Sequence, residues 1–167
     1  PEPVHLLKFA LSQTFVRGTA RGYPQKTIEK WGVGGKTGTS DNQRDSWFVG
    51  YAGRYLALIW LGFDDNREMP LTGRSGALQV WKKLMNNLDP NSLASPTIPR
   101  INYEWVDLKD GLLSGKKCNN AIKVPYIRGT EPKTIPSSRR KCRKSEDTYT
   151  SDILEKLREV FGEANLR

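Results

Sequence analysis

The stretch GGKTGTSDNQRDSWFVGYAGRYLALIWLGF, residues 34–63, decides the fold. Trp47 to Ala52 reads as a strand, Gly53-Arg54 as a tight hairpin turn, and Tyr55 to Phe63 as the returning strand. Before them, Ser40-Asp41-Asn42-Gln43-Arg44-Asp45 is rich in turn formers, so the segment around Lys36 is expected as a third strand at one side of an antiparallel meander. If Lys36 to Thr39 is extended, Thr37 and Thr39 face one way and Lys36 the other. Two hydroxyls on one face, with an ammonium close by, can bind a carboxylate. Gly38 leaves the backbone open to a ligand lying alongside as an extra strand. A phosphate loop is the competing functional reading, because Gly35-Lys36-Thr37 matches the end of that pattern. It fails, since the first glycine would fall on Lys30 and a strand would have to precede it. A Gly-rich turn leading into a hairpin, with no ligand, is the plain structural alternative.

Working outward, Leu7, Phe9, Ala10 and Leu11 suit an amphipathic helix from Val4 to about Val16, ended by Gly18. Residues 19–30 are polar and contain Tyr23-Pro24, which predicts a loop. After the meander, Ala77, Leu78, Val80, Trp81, Leu84, Met85 and Leu88 recur at helical spacing, with Ser75 as the expected N-cap. That stripe reads as core. Past Asp89-Pro90 the chain turns rich in proline, lysine and serine, with one strand-like run at Tyr103 to Leu108. A last helix is expected from Ser151, carrying Ile153, Leu154, Leu157, Val160 and Phe161 and stopping at Gly162. The boundaries expected are residues 1–89 and 90–167. The fold class is α+β: a three-strand antiparallel meander, flanking helices and an irregular C-terminal tail.

The 167 residues suffice for one domain with a core, at 37% apolar and a mean hydropathy of −0.62. No run approaches the roughly 20 apolar residues of a membrane span. The net charge of +9 favours anionic partners. Much of it sits in Arg139-Arg140-Lys141-Cys142-Arg143-Lys144, which has no aromatic residues interleaved to stack bases. A solvated loop is the first reading of that run, ahead of attraction to anionic lipid or acidic wall polymer, with nucleic acid third. Cys118 and Cys142 lack the count and spacing of a zinc site, and the one histidine, His5, is far away in sequence. They are either two free thiols or a disulfide closing the loop between them.

Five segments taken together resemble the penicillin-binding proteins. They are Arg17-Gly18-Thr19-Ala20, Gly35-Lys36-Thr37-Gly38-Thr39, Asp45-Ser46-Trp47-Phe48-Val49-Gly50-Tyr51, Trp60-Leu61-Gly62-Phe63-Asp64-Asp65 and Thr72-Gly73-Arg74-Ser75-Gly76-Ala77. The resemblance is to the last third of the transpeptidase domain of the bifunctional class A type. It covers positions 4 to 88 and continues more weakly through Glu104-Trp105-Val106 and Gly111-Leu112-Leu113 to Pro125-Tyr126-Ile127. The lysine-threonine-glycine triplet alone is weak; the set in this order is specific.

The resemblance implies a portion of a D,D-transpeptidase that cross-links peptidoglycan stem peptides through an acyl-serine, with the meander as part of a five-stranded sheet. Lys36 matches the triplet lysine. Thr37, Gly38 and Thr39 match the substrate-binding strand whose hydroxyls hold the carboxylate of a stem peptide or β-lactam antibiotic, and the Thr39 N–H matches half of an oxyanion hole. The resemblance also places the region on the periplasmic face of the bacterial inner membrane, with membrane contact only through an anchor absent from this sequence. That compartment favours a Cys118–Cys142 bridge tying the tail, which would stabilise it by ~3 kcal/mol. Cell-wall synthesis activators are the other partners implied; no cofactor, metal or nucleic acid is expected.

One departure is large. The family's Ser-x-x-Lys nucleophile and Ser-x-Asn motif precede the triplet, and neither is present in usable form. Ser114-Gly115-Lys116-Lys117 and Ser138-Arg139-Arg140-Lys141 fit Ser-x-x-Lys only by chance, in Gly-rich or highly charged segments after the strand. The expectation is therefore a C-terminal fragment that is inactive alone, with one sheet face short of cover. A non-enzymatic cell-wall or partner-binding module and a basic nucleic-acid binder are the alternatives.

Overall fold

Burial alternates along β2 (Asp45–Ala52), where Ser46, Phe48, Gly50 and Ala52 are buried and the residues between them are not. That period of two fixes which face of the sheet meets the core. The computed structural model describes residues 1–94 and 97–132. It forms two compact units, Pro1–Pro99 and one that begins at Arg100.

In the first unit, β1 (Gly34–Thr39), β2 and β3 (Tyr55–Gly62) form an antiparallel sheet in the order β1-β2-β3. The meander is as expected, with the Lys36 strand at one edge. Gly53, at φ 56, makes the hairpin turn in a backbone region that costs an L side chain. Helices α1 (Glu2–Val16) and α3 (Ala77–Leu88) contribute to the core, where Phe15, Phe48, Leu78, Trp81 and Met85 are at most 1% exposed. The Phe48 ring meets Trp81 at 5.2 Å and Phe15 at 6.1 Å, both edge-on. Burying each such side chain stabilises the fold by roughly 1.5–3 kcal/mol.

Three local expectations are corrected. Residues 19–30 are not all loop, because α2 (Gln25–Trp31) forms within them and ends at Gly32 in the left-handed region. Its seven residues would not hold a helix alone. Tertiary contacts hold it: the Trp31 and Lys30 carbonyls accept from the Gly53 and Ser92 N–H groups at 2.6 Å, and the Asp89 carboxylate binds Lys30 Nζ at 2.6 Å. Ser75 is not the N-cap of α3. That position is Gly76, with no side-chain cap from its own residue. The apolar stripe is also narrower than its spacing suggests, for Val80, Leu84 and Leu88 are 38–42% exposed.

The described residues of the second unit, 100–132, are more regular than an irregular tail. Strand β4 (Ile101–Asp107) pairs antiparallel with β5 (Ala121–Ile127), Ile101 opposite Ile127. The run from Tyr103 to Leu108 thus falls largely in β4, whereas β5 is hidden in the sequence by Lys123 and Pro125. In a two-stranded ribbon every strand is an edge, so a proline that lacks its N–H is tolerated. Val106, Cys118 and Ile122 are nearly buried. Cys142, the charge run at 139–144, Ser138 and the helix expected from Ser151 lie outside the described residues.

Candidate functional site

Strand β1 carries the candidate site residues Lys36, Thr37, Gly38 and Thr39, and its pairing with β2 settles the direction of each side chain. Lys36 lies opposite Val49, Thr37 opposite Phe48 and Thr39 opposite Ser46. Directly opposed residues share a face. Thr37 and Thr39 therefore belong to the face of Phe48 and Ser46, and Lys36 to the face of Val49. The segment is a strand, not a loop wrapped around a phosphate.

Helix α1 runs beside β1 and is bonded to it. Thr14 Oγ1 lies 2.8 Å from Leu11 O and 2.9 Å from Gly35 O, sharing its proton between them. Past the helix end, Ala20 is fully buried and its N–H donates to Thr14 O. Thr19 is thereby held with its Oγ1 2.9 Å from Thr37 Oγ1. At the other end of the strand, Thr39 Oγ1 accepts the Gly73 N–H at 2.9 Å. The Lys36 ammonium is exposed and donates to Thr37 O at 2.7 Å.

The loop bearing Gly73 is fixed from beneath. Ser46 Oγ, fully buried, donates to Thr72 O at 2.8 Å and accepts the Ala77 N–H at 2.9 Å. It satisfies a donor of the first turn of α3, acting as a cap supplied from a distant strand. Gly73 approaches the sheet so closely that a Cβ there would lie 2.5 Å from Gly38 O and 2.7 Å from Trp47 O. Only glycine lets its N–H reach Thr39.

The turn after β1 closes through Asp45, whose N–H donates to Ser40 Oγ at 2.7 Å. The Asp45 carboxylate accepts Trp60 Nε1 at 2.8 Å, which with the Ser40 hydroxyl holds its pKa below the usual carboxylate range. Beside this turn, Asn42, Gln43, Glu68, Met69 and Pro70 line an open cavity of about 400 Å³. Ser114, in the second unit, lies outside any helix, with its N–H donating to Trp105 O.

Sequence reasoning placed Lys36, Thr37, Gly38 and Thr39 on one extended segment. It left Thr19, Ser46 and Gly73 out of the site. The signal for all three was present, since each sits in a segment that carries the family resemblance, but nothing in the sequence says that those segments meet.

No protein-family model matches the chain. Penicillin-binding protein 1B of Haemophilus influenzae is 45% identical over 100 residues, which make up 60% of this chain and 12% of that protein. Penicillin-binding protein 1B of Escherichia coli is 33% identical over 145 residues, 87% of this chain and 16% of that protein. The homologues are class A penicillin-binding proteins. The crystal structure of penicillin-binding protein 1A from Haemophilus influenzae matches with a TM-score of 0.64 at 26% identity, over 80% of this chain and 21% of that one. The α+β arrangement, with its three-strand sheet and flanking helices, matches the penicillin-binding-protein fold over that part. The chain spans only a small share of the length of these penicillin-binding proteins. Among the described residues, no helix is long and apolar enough to cross a membrane.

Proposed function

We propose that this chain is the substrate-binding part of a peptidoglycan D,D-transpeptidase, a bifunctional enzyme whose nucleophilic serine and glycosyltransferase half lie in polypeptide outside this sequence. The observation that carries the reading is an edge strand, β1, with two hydroxyls on one face and a lysine on the other whose ammonium reaches back to Thr37 O, in a chain homologous to penicillin-binding proteins. Thr37 and Thr39 bind the carboxylate of a stem peptide or β-lactam. Lys36 adds positive charge and joins the proton-transfer network that activates the serine. The Thr39 N–H donates to the oxyanion formed when the serine attacks. Such a donor stabilises charge that develops in the transition state, by about 2.7–4 kcal/mol. The acyl group then passes from the serine to the amine of a second stem peptide, on the periplasmic side of the inner membrane. The same reading includes a Cys118–Cys142 bridge in the 90–167 extension, which mass spectrometry under non-reducing conditions detects as a linked peptide pair.

Fluorescent penicillin tests the enzymatic part. With this segment joined to the remainder of a class A enzyme, covalent labelling is expected, and Lys36→Ala removes it. The isolated chain is expected to take no label. Label on Ser114 or Ser138 of the isolated chain would overturn the assignment of the nucleophile, and labelling indifferent to Lys36→Ala would overturn the role of the strand.

A further inference from the structure

We infer that Thr19 and the Gly73 amide are positioning groups that set the polarity of the two site hydroxyls, so that both offer their hydrogens to one acidic group. The inference rests on the reading of β1 as a carboxylate-binding strand and adds residues from two loops to it. Thr39 Oγ1 already accepts the Gly73 N–H at 2.9 Å, so its own hydrogen is left to donate. Thr37 Oγ1 shares one hydrogen with Thr19 Oγ1 at 2.9 Å. When Thr37 donates to a carboxylate, Thr19 must donate to Thr37. The result is a chain, Thr19 to Thr37 to the acid, in which each bond polarises the next.

Both positioning groups are held from behind. The buried Ala20 and its bond to Thr14 O fix the Thr19 loop. The Gly73 loop is fixed by Ser46 on Thr72 O and by the Leu78 N–H on Gly73 O. The arrangement favours an acid over an amide of the same shape, because an amide brings hydrogens of its own that two outward-pointing donors cannot accept.

NMR titration of the chain with N-acetyl-D-alanyl-D-alanine and with its C-terminal amide tests this. The unsubstituted chain is expected to bind the acid more tightly than the amide. Thr19→Val, isosteric and at an exposed position, is expected to cut that preference roughly fivefold, and Thr19→Ser to restore it. Gly73→Ala is expected to lower the preference as Thr19→Val does. Should Gly73→Ala fail to fold, the Thr19 pair decides. An undiminished preference in Thr19→Val, or an equal weakening of both ligands, would overturn the inference while leaving the carboxylate-binding strand intact. No preference in the unsubstituted chain would remove the strand's assignment and this inference with it, before any substitution is made.

Discussion

The two faces of the β1-β2-β3 sheet are built from alternate residues of the same strands, yet they differ sharply. On one face Ser46, Phe48 and Ala52 are fully buried against α1 and α3. On the other, Trp47, Val49, Leu58 and Trp60 are 38–57% exposed, and Leu56 is 75% exposed. Both faces are apolar, so composition does not distinguish them; cover does. The site strand belongs to both, with its threonines on the covered face and its lysine on the bare one. A contiguous exposed apolar face marks a surface built to be covered.

Substitution on the covered face gives the largest expected effect. Phe48→Ala removes a ring packed on Phe15 and Trp81 and is expected to cost about 3–5 kcal/mol, measured by urea unfolding. A loss below about 1 kcal/mol would erase the contrast between the faces. Ser46→Ala, next in size, strands Thr72 O and the Ala77 N–H and is expected to cost about 1–3 kcal/mol. On the bare face, Leu58→Lys is expected to change stability by less than about 0.5 kcal/mol. The unsubstituted chain is expected to self-associate through this face in sedimentation, and Leu58→Lys to reduce that; a monomeric unsubstituted chain, or unchanged association, would mean that this face does not attract other copies.

Acid sharpens the comparison with the smallest effect. Asp89, bonded to Lys30 and then to Trp31, and Asp45, bonded to Trp60 on the bare face and to Ser40, both titrate below the usual carboxylate range. A carboxylate with a lowered folded pKa contributes stability above its unfolded value and loses it as pH falls through the folded one. Thermal melts should therefore drop as the pH falls below that ordinary range. Asp89→Asn, which removes the tie between α2 and the end of α3, and Asp45→Asn should each flatten part of that drop. An unchanged acid limb in both variants would show that these carboxylates do not couple to folding.

The meander and the site strand were legible because their signals are local: alternation, a Gly-Arg turn, and hydroxyls two residues apart. Helix α2 was not, since its two apolar residues, Ile28 and Trp31, gain their worth only against a core assembled from elsewhere. Strand β5 was masked by Pro125, which is harmless in a ribbon. The site's supporting residues escaped for the same reason as α2. Thr19 is 18 residues from Thr37, Gly73 is 34 from Thr39, and Ser46 is 31 from Ala77. Contacts across such separations leave no periodic trace.

Ser46 has a bearing on the order in which the protein assembles. Because a hydroxyl on β2 accepts the Ala77 N–H, the first turn of α3 is expected to be fully satisfied only when the hairpin is in place. A peptide spanning residues 72–88 alone should fray at its beginning, and the loop over Thr39 should settle late, after the sheet that it reports on.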